Sequence, residues 1–445
     1  ALRRASRRAR PTLMKVAVIG GGGVRTPLLV GGLTGSDLPI DEIALYDIDQ
    51  DRLATIGGVA ARMAAQGRVV LSASLDDCVT GADFVFTSIR VGGLAHRVRD
   101  ETIALSHGIA GQETVGPAGF AMAARTIPHM VRYARAIARA APSAWIINFT
   151  NPVGMVTEAM RTVTSRVIGI CDTPTELFEE VSHALGLQSD RSFFDYFGLN
   201  HLGWIREVYS DGEPQLRRLW SDRERLQSLY KVPLFGPTYL HDLKLLPTEY
   251  VYYYKDPQRA LANMRQAGQT RGQAIAELTD VLFDALRNSN ADSVAIYKSY
   301  LFARSASYMQ IESGDAPTAA RVAAASQVSG YDKIALSVMR AVHFNLNAIV
   351  PLSVENRGNI PSLMDRDVVE VPCVVNANGA TPVHVGRVPD RVQPLLARVK
   401  EYERLTVRAA LAQSVDAARE ALANNPLVPD RATADRLVRD LSPLW

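Results

Sequence analysis

The chain has 445 residues, 47% hydrophobic and 21% charged, with a formal net charge of +3, which is enough for a sizeable core and two lobes. With 49 basic against 46 acidic residues no basic face is offered to nucleic acid, and no apolar run reaches the roughly 20 residues needed to cross a bilayer. Three cysteines (Cys78, Cys171, Cys373) make no disulfide framework in a chain this long and fit a reducing cytoplasm.

Leu2 to Arg10 is arginine-rich and acid-free, so residues 1–13 read as a disordered basic extension. Lys15–Ile19 is a short apolar strand, followed by Gly20 to Gly23 and a helical stretch through Leu33. Glu42–Tyr46, Val69–Ala73, Asp83–Thr87 and Ala144–Asn148 read as further strands, alternating with helices over Asp51–Ala65 and Phe120–Ala141. Alternating strands and helices predict an α/β fold, a Rossmann-like doubly wound parallel sheet over residues 14–187. After His201 the pattern changes. Helices rich in aspartate and arginine are expected up to Leu246, then long helices such as Thr270–Leu286. An antiparallel stretch over Val368–Val385 and one or two helices over Pro389–Ala423 complete a mixed α+β lobe over 188–445.

The chemistry-bearing residues cluster at strand ends. Gly21, Gly22, Gly23, Val24 and Arg25 follow a strand and open a helix, the context in which backbone amides approach a pyrophosphate. Asp47 ends the second strand, where an acid binds ribose hydroxyls and favours NAD over a 2′-phosphorylated cofactor. Cys171 and His201 end two later apolar runs; they read either as a buried thiol and a loop histidine or as two ligands of a divalent ion. Tyr250, in the cluster Tyr250 to Tyr254, suits a general base beside such a cation. Arg90, Arg97, Arg125 and Arg271 are candidate anion clamps.

Several longer motifs join these pieces: Gly21–Pro27, Ser88–Gly93, Arg97–Glu101, Gly111–Pro117, Asn148–Pro152, Gly169–Asp172, Gly198–Trp204 and Glu370–Gly379. In these the chain, from Met14 nearly to its end, resembles the NAD- and metal-dependent family-4 glycoside hydrolases, and most of all their 6-phospho-β-glucosidases. The resemblance implies cytoplasmic, redox-assisted cleavage of a small phosphosugar by a homodimer or homotetramer. NAD oxidises C3, a divalent ion (manganese) on Cys171 and His201 polarises the C2 and C3 oxygens, and Tyr250 removes the C2 proton. Asp172 protonates the leaving oxygen, Asn151 and Asn200 hold sugar hydroxyls, and Arg90 and Arg271 contact the phosphate. The stretch Asn288–Tyr297 stands where the family carries an arginine-bearing segment, so one phosphate arginine is expected to be missing. Two other readings share these residues: the same chemistry on an unphosphorylated or α-linked glycoside, and a plain NAD-dependent sugar dehydrogenase.

Overall fold

Strand β1 (Met14–Ile19) is buried on both faces, as the centre of a parallel sheet must be. A computed structural model describes residues 13–229, 232–288, 292–314 and 331–444; the basic segment through residue 12 lies outside them. Around β1 run β2 (Ile40–Tyr46), β3 (Arg68–Leu71), β4 (Phe84–Thr87), β5 (Trp145–Asn148) and β6 (Val167–Gly169), all parallel, in the order β6-β5-β4-β1-β2-β3. This is the doubly wound order expected, and its ligand crevice opens at the carboxyl ends of β1 and β4, where the winding reverses.

Local chemistry fixes the connecting helices. Asp49 caps Gln50–Met63 by accepting from the Arg52 amide. Pro174 sits in the first turn of Thr173–Leu185, which ends at Gly186 in the left-handed region. The helix expected from Phe120 starts earlier, at Gly116, with Pro117 in its first turn.

The segment after His201 departs from the helical expectation. The chain leaves β7 (Ser192–Leu199), turns at Asn200–His201 and returns antiparallel as β8 (Leu202–Ser210). Most of Leu202–Val208 is buried, so its β-branched and aromatic residues pack as a strand. At Gly203 a Cβ would lie 1.9 Å from the Tyr196 hydroxyl, so only glycine fits. The short strands β9 (Glu213–Pro214) and β10 (Leu246–Pro247) also pair with β8, and the expected helices follow between them.

The second half also extends the first sheet. β11 (Ala348–Glu355) pairs antiparallel with β6, and β12 (Val368–Asn376) and β13 (Gly379–Pro382) continue outward from it. One nine-stranded sheet therefore runs through both halves. β12 packs on β7, which presses the hairpin turn against the sheet's carboxyl edge. The helix Arg271–Asn288 packs on Gly93–Ser106 and Gln50–Met63 and so covers that edge from above.

Candidate active site

The loop after β1 and the loop after β4 meet at Gly20, where φ is +94° and a Cβ would lie 2.1 Å from the Ser88 carbonyl oxygen. That contact holds the glycine loop open along one wall of a cavity of about 1620 Å³. Gly22, Gly23, Val24, Arg25 and Asp47 all line it. The Asp47 carboxylate accepts from the Gly22 amide at 3.0 Å and from the Asp49 amide at 3.1 Å, so the acid and the loop hold each other. Gly21 does not face the cavity. Its amide donates to the Tyr46 carbonyl and it packs against Leu45 and Leu53, so it spaces the loop from the second strand.

Cys171 and His201 come together from separate elements: Cys171 just beyond β6, His201 in the β7–β8 turn at φ 65°. Sγ lies 3.6 Å from Nε2, and both residues are buried at the cavity floor. Burial pulls the His201 imidazole down to about 4, which leaves it neutral. Burial, then the carboxylates of Glu370 and Asp172, push the Cys171 thiol well up. Among the described residues no cluster of three or more metal-ligating side chains occurs. The Cys171 sulfur, as the thiolate left when an ion displaces its proton, and a neutral imidazole facing one point fit a divalent ion whose other positions open to the cavity. Buried Asn151 Oδ1, which lines the same cavity, has no hydrogen-bond partner among the described residues and so supplies one more unsatisfied acceptor.

The Tyr250 ring stacks on His201 at 3.8 Å between centroids. Burial, then Glu249, pushes its hydroxyl well up, and Tyr308, 3.1 Å away, pulls it back. The Tyr308 hydroxyl also lies 3.0 Å from Glu249 Oε1. Asp172 lies across from them, paired with Arg25 at 3.3 Å. Asn200 is likewise not among the cavity-lining residues: its amide donates to Glu370 at 3.1 Å, which braces the turn.

In the same cavity, Arg90 pairs with Glu113, which also takes Arg97 at 3.0 Å. Despite burial, the two guanidiniums hold the Glu113 carboxyl far below the usual range. Arg125 is committed to Asp100 and lies off this wall. Arg271 donates to Ser307 Oγ at 2.8 Å and to the Arg304 carbonyl at 2.9 Å, with no ion pair among the described residues. Burial pulls its pKa below the ordinary guanidinium value, Glu312 opposing.

An arginine given no role from sequence also lines this cavity. Arg304, near the end of the helix Ser293–Ala306, lines the cavity beside Arg271, its Nη1 donating to the Tyr300 hydroxyl at 3.1 Å. The stretch Asn288–Tyr297 itself carries no arginine, and its residues 289–291 lie outside the described residues. Glu249, Tyr308 and Thr114 were likewise given no role from sequence.

The family profile described as "Family 4 glycosyl hydrolase" matches residues 15–187, and its C-terminal domain matches 196–428. The chain belongs to glycosyl hydrolase family 4. The probable 6-phospho-β-glucosidase of Bacillus subtilis is 31% identical over 96% of this family-4 chain and 95% of its own. A 6-phospho-β-glucosidase of Thermotoga maritima, solved with manganese, NAD⁺ and glucose-6-phosphate, matches with TM-score 0.81 and 28% identity, covering 96% and 97% of the two chains. A 6-phospho-α-glucosidase from gut microorganisms, solved with NAD and Mn²⁺, matches with TM-score 0.80 and 25% identity, covering 98% and 99%.

Proposed function

We propose that this family-4 hydrolase cleaves 6-phospho-β-glucosides by oxidation-assisted elimination, using NAD and a divalent cation, manganese by preference. The carrying observation is one cavity that joins the glycine loop, the Cys171–His201 pair and an arginine-lined end. When bound, NAD would exchange a hydride with C3 and a divalent ion on Cys171 and His201 would polarise the sugar oxygens, which acidifies the C2 proton.

The chain's own residues divide the rest. The loop Gly22 to Arg25 brings its backbone and a helix start close to a pyrophosphate, with the Val24 and Arg25 amides facing it, while Asp47 disfavours a 2′-phosphate. Arg90, Arg271 and Arg304 hold the 6-phosphate, and Asn151 accepts from a sugar hydroxyl. Tyr250 takes the C2 proton, its oxygen 3.1 Å from the Tyr308 hydroxyl, which in turn lies 3.0 Å from Glu249. Asp172 delivers a proton to the leaving oxygen, and water adds to the resulting double bond as the protons return along the same path. Three buried free cysteines accord with a cytoplasmic location, and a homodimer or homotetramer is the expected assembly, measurable by light scattering.

The direct test is turnover of a β-glucoside 6-phosphate in D₂O. Deuterium at C2 of the product is the expected result; product without it contradicts removal of that proton. The matched α-glucoside 6-phosphate, run alongside, should turn over more slowly.

A further inference from the structure

His201 has a fixed hydrogen-bonding partner outside the cavity, and the donors around that partner leave only one arrangement of hydrogens. Gln112 Oε1 lies 2.6 Å from the Thr114 amide and 2.8 Å from the Val115 amide. Both amides can only donate, so the Gln112 atom facing them is its oxygen and not its nitrogen. The same oxygen lies 2.8 Å from Thr114 Oγ1. A carbonyl oxygen can only accept, so Thr114 spends its single hydroxyl hydrogen there. What remains on Thr114 Oγ1 is lone pairs, and Oγ1 lies 2.8 Å from His201 Nδ1. Nδ1 must therefore carry the ring hydrogen. An imidazole with one ring hydrogen then has a bare lone pair on Nε2, the nitrogen 3.6 Å from Cys171 Sγ.

We propose that Thr114, oriented by Gln112, fixes His201 as the Nδ1–H tautomer and so aims the Nε2 lone pair at the ion site, which makes Thr114 a positioning residue. The role rests on the metal reading of Cys171 and His201 above. The surroundings are built for it. Gln112 and Thr114 are each only 7% exposed, so bulk water offers no competing partner. Their turn is closed by a bridge between Gln112 and Val115 and leads into the helix Gly116–Ala140. Within that helix a Cβ on Gly119 would lie 2.4 Å from the Thr114 carbonyl carbon, so the helix abuts the turn with no slack. Tyr250 stacked on the imidazole restrains ring rotation. Partners of this kind typically change metal affinity by about 10- to 100-fold when removed.

The test uses the full chain in two measurements. In metal-free protein labelled with ¹⁵N-histidine, His201 (assigned by its loss in His201→Gln) should show a protonated Nδ1 and a bare Nε2. Thr114→Val should shift it toward the other tautomer. Mn²⁺ titration followed by electron paramagnetic resonance, without substrate, should show affinity lowered about 10- to 100-fold in Thr114→Val and recovered in Thr114→Ser. A protonated Nε2 in wild type, or Thr114→Val binding Mn²⁺ as tightly as wild type, overturns the proposal. The wild-type spectrum decides the tautomer even if Thr114→Val does not fold. Wild type that binds no Mn²⁺ overturns the metal reading and the positioning role with it, whereas the tautomer is decided separately by the spectrum.

Discussion

Replacing Arg271 by alanine separates phosphate recognition from every other feature of the site. Arg271 is buried, makes no ion pair among the described residues and spends two of its five N–H groups on Ser307 and the Arg304 carbonyl. Its remaining donors line a cavity end that holds Arg90 and Arg304 as well. A hydrogen bond to a charged group contributes about 1.5–3 kcal/mol, so losing one should lower kcat/KM roughly 10- to 150-fold. The loss should fall on the 6-phosphorylated substrate alone. Arg271→Lys should recover only part of it, since lysine keeps the charge but not the planar fork. The assay is kcat/KM for paired 4-nitrophenyl β-glucosides with and without the 6-phosphate, in the presence of NAD and Mn²⁺. Equal losses on both sugars would assign Arg271 a structural role, and no loss on the phosphorylated one would refute the phosphate site. Arg304→Ala should show the same selectivity, since Arg304 lines the same cavity and spends one donor on Tyr300.

Cys171→Ser and His201→Ala should each abolish stoichiometric Mn²⁺ while the protein still unfolds cooperatively; retained metal in either variant would mean the ligands lie elsewhere. Tyr250→Phe should slow turnover by about 10²- to 10⁴-fold and slow deuterium entry at C2 in parallel. Wild-type exchange in that variant would move the base to another group. Lys400 is fully buried between Glu158 at 3.0 Å and Glu403 at 2.6 Å. Burial opposes its charge, but the two carboxylates raise its pKa above the ordinary lysine value. Its contribution is thus complete below that ordinary value and is lost as pH rises through the folded one. Lys400→Met should cost about 3–5 kcal/mol in denaturant unfolding at neutral pH, because buried Glu403 and half-buried Glu158 lose their cation. The gap between variant and wild type should narrow in strongly alkaline solution, and also in acid, where the Glu403 carboxyl, raised by burial, takes up a proton.

The wound half of the fold was legible because period and punctuation agree there. Short apolar runs end in glycine, aspartate or asparagine, and helices between them start at Asp49 or Pro174. The β7–β8 hairpin was not legible beyond His201, since the charged residues of Leu202–Ser210 mask a strand whose burial comes from packing between distant elements. The continuation of the sheet through β11 to β13 was equally hidden, because antiparallel pairing of β11 with β6 leaves no local mark. At the site, residues at strand ends were found, while those acting through others were missed. Thr114, Glu249 and Tyr308 earn their places only through contacts at long sequence separation. Asn200 and Gly21 show the converse: motif positions whose side chain or backbone serves the scaffold.

The central claim is that NAD and a divalent ion act together in a hydrolysis that consumes neither. Release of 4-nitrophenol from its β-glucoside 6-phosphate, followed with and without NAD and Mn²⁺ while absorbance of reduced cofactor is recorded, tests it in one experiment. The account predicts hydrolysis only when both are present, with many turnovers and no net NADH. Undiminished hydrolysis after both are removed, or one NADH formed per product, would contradict it.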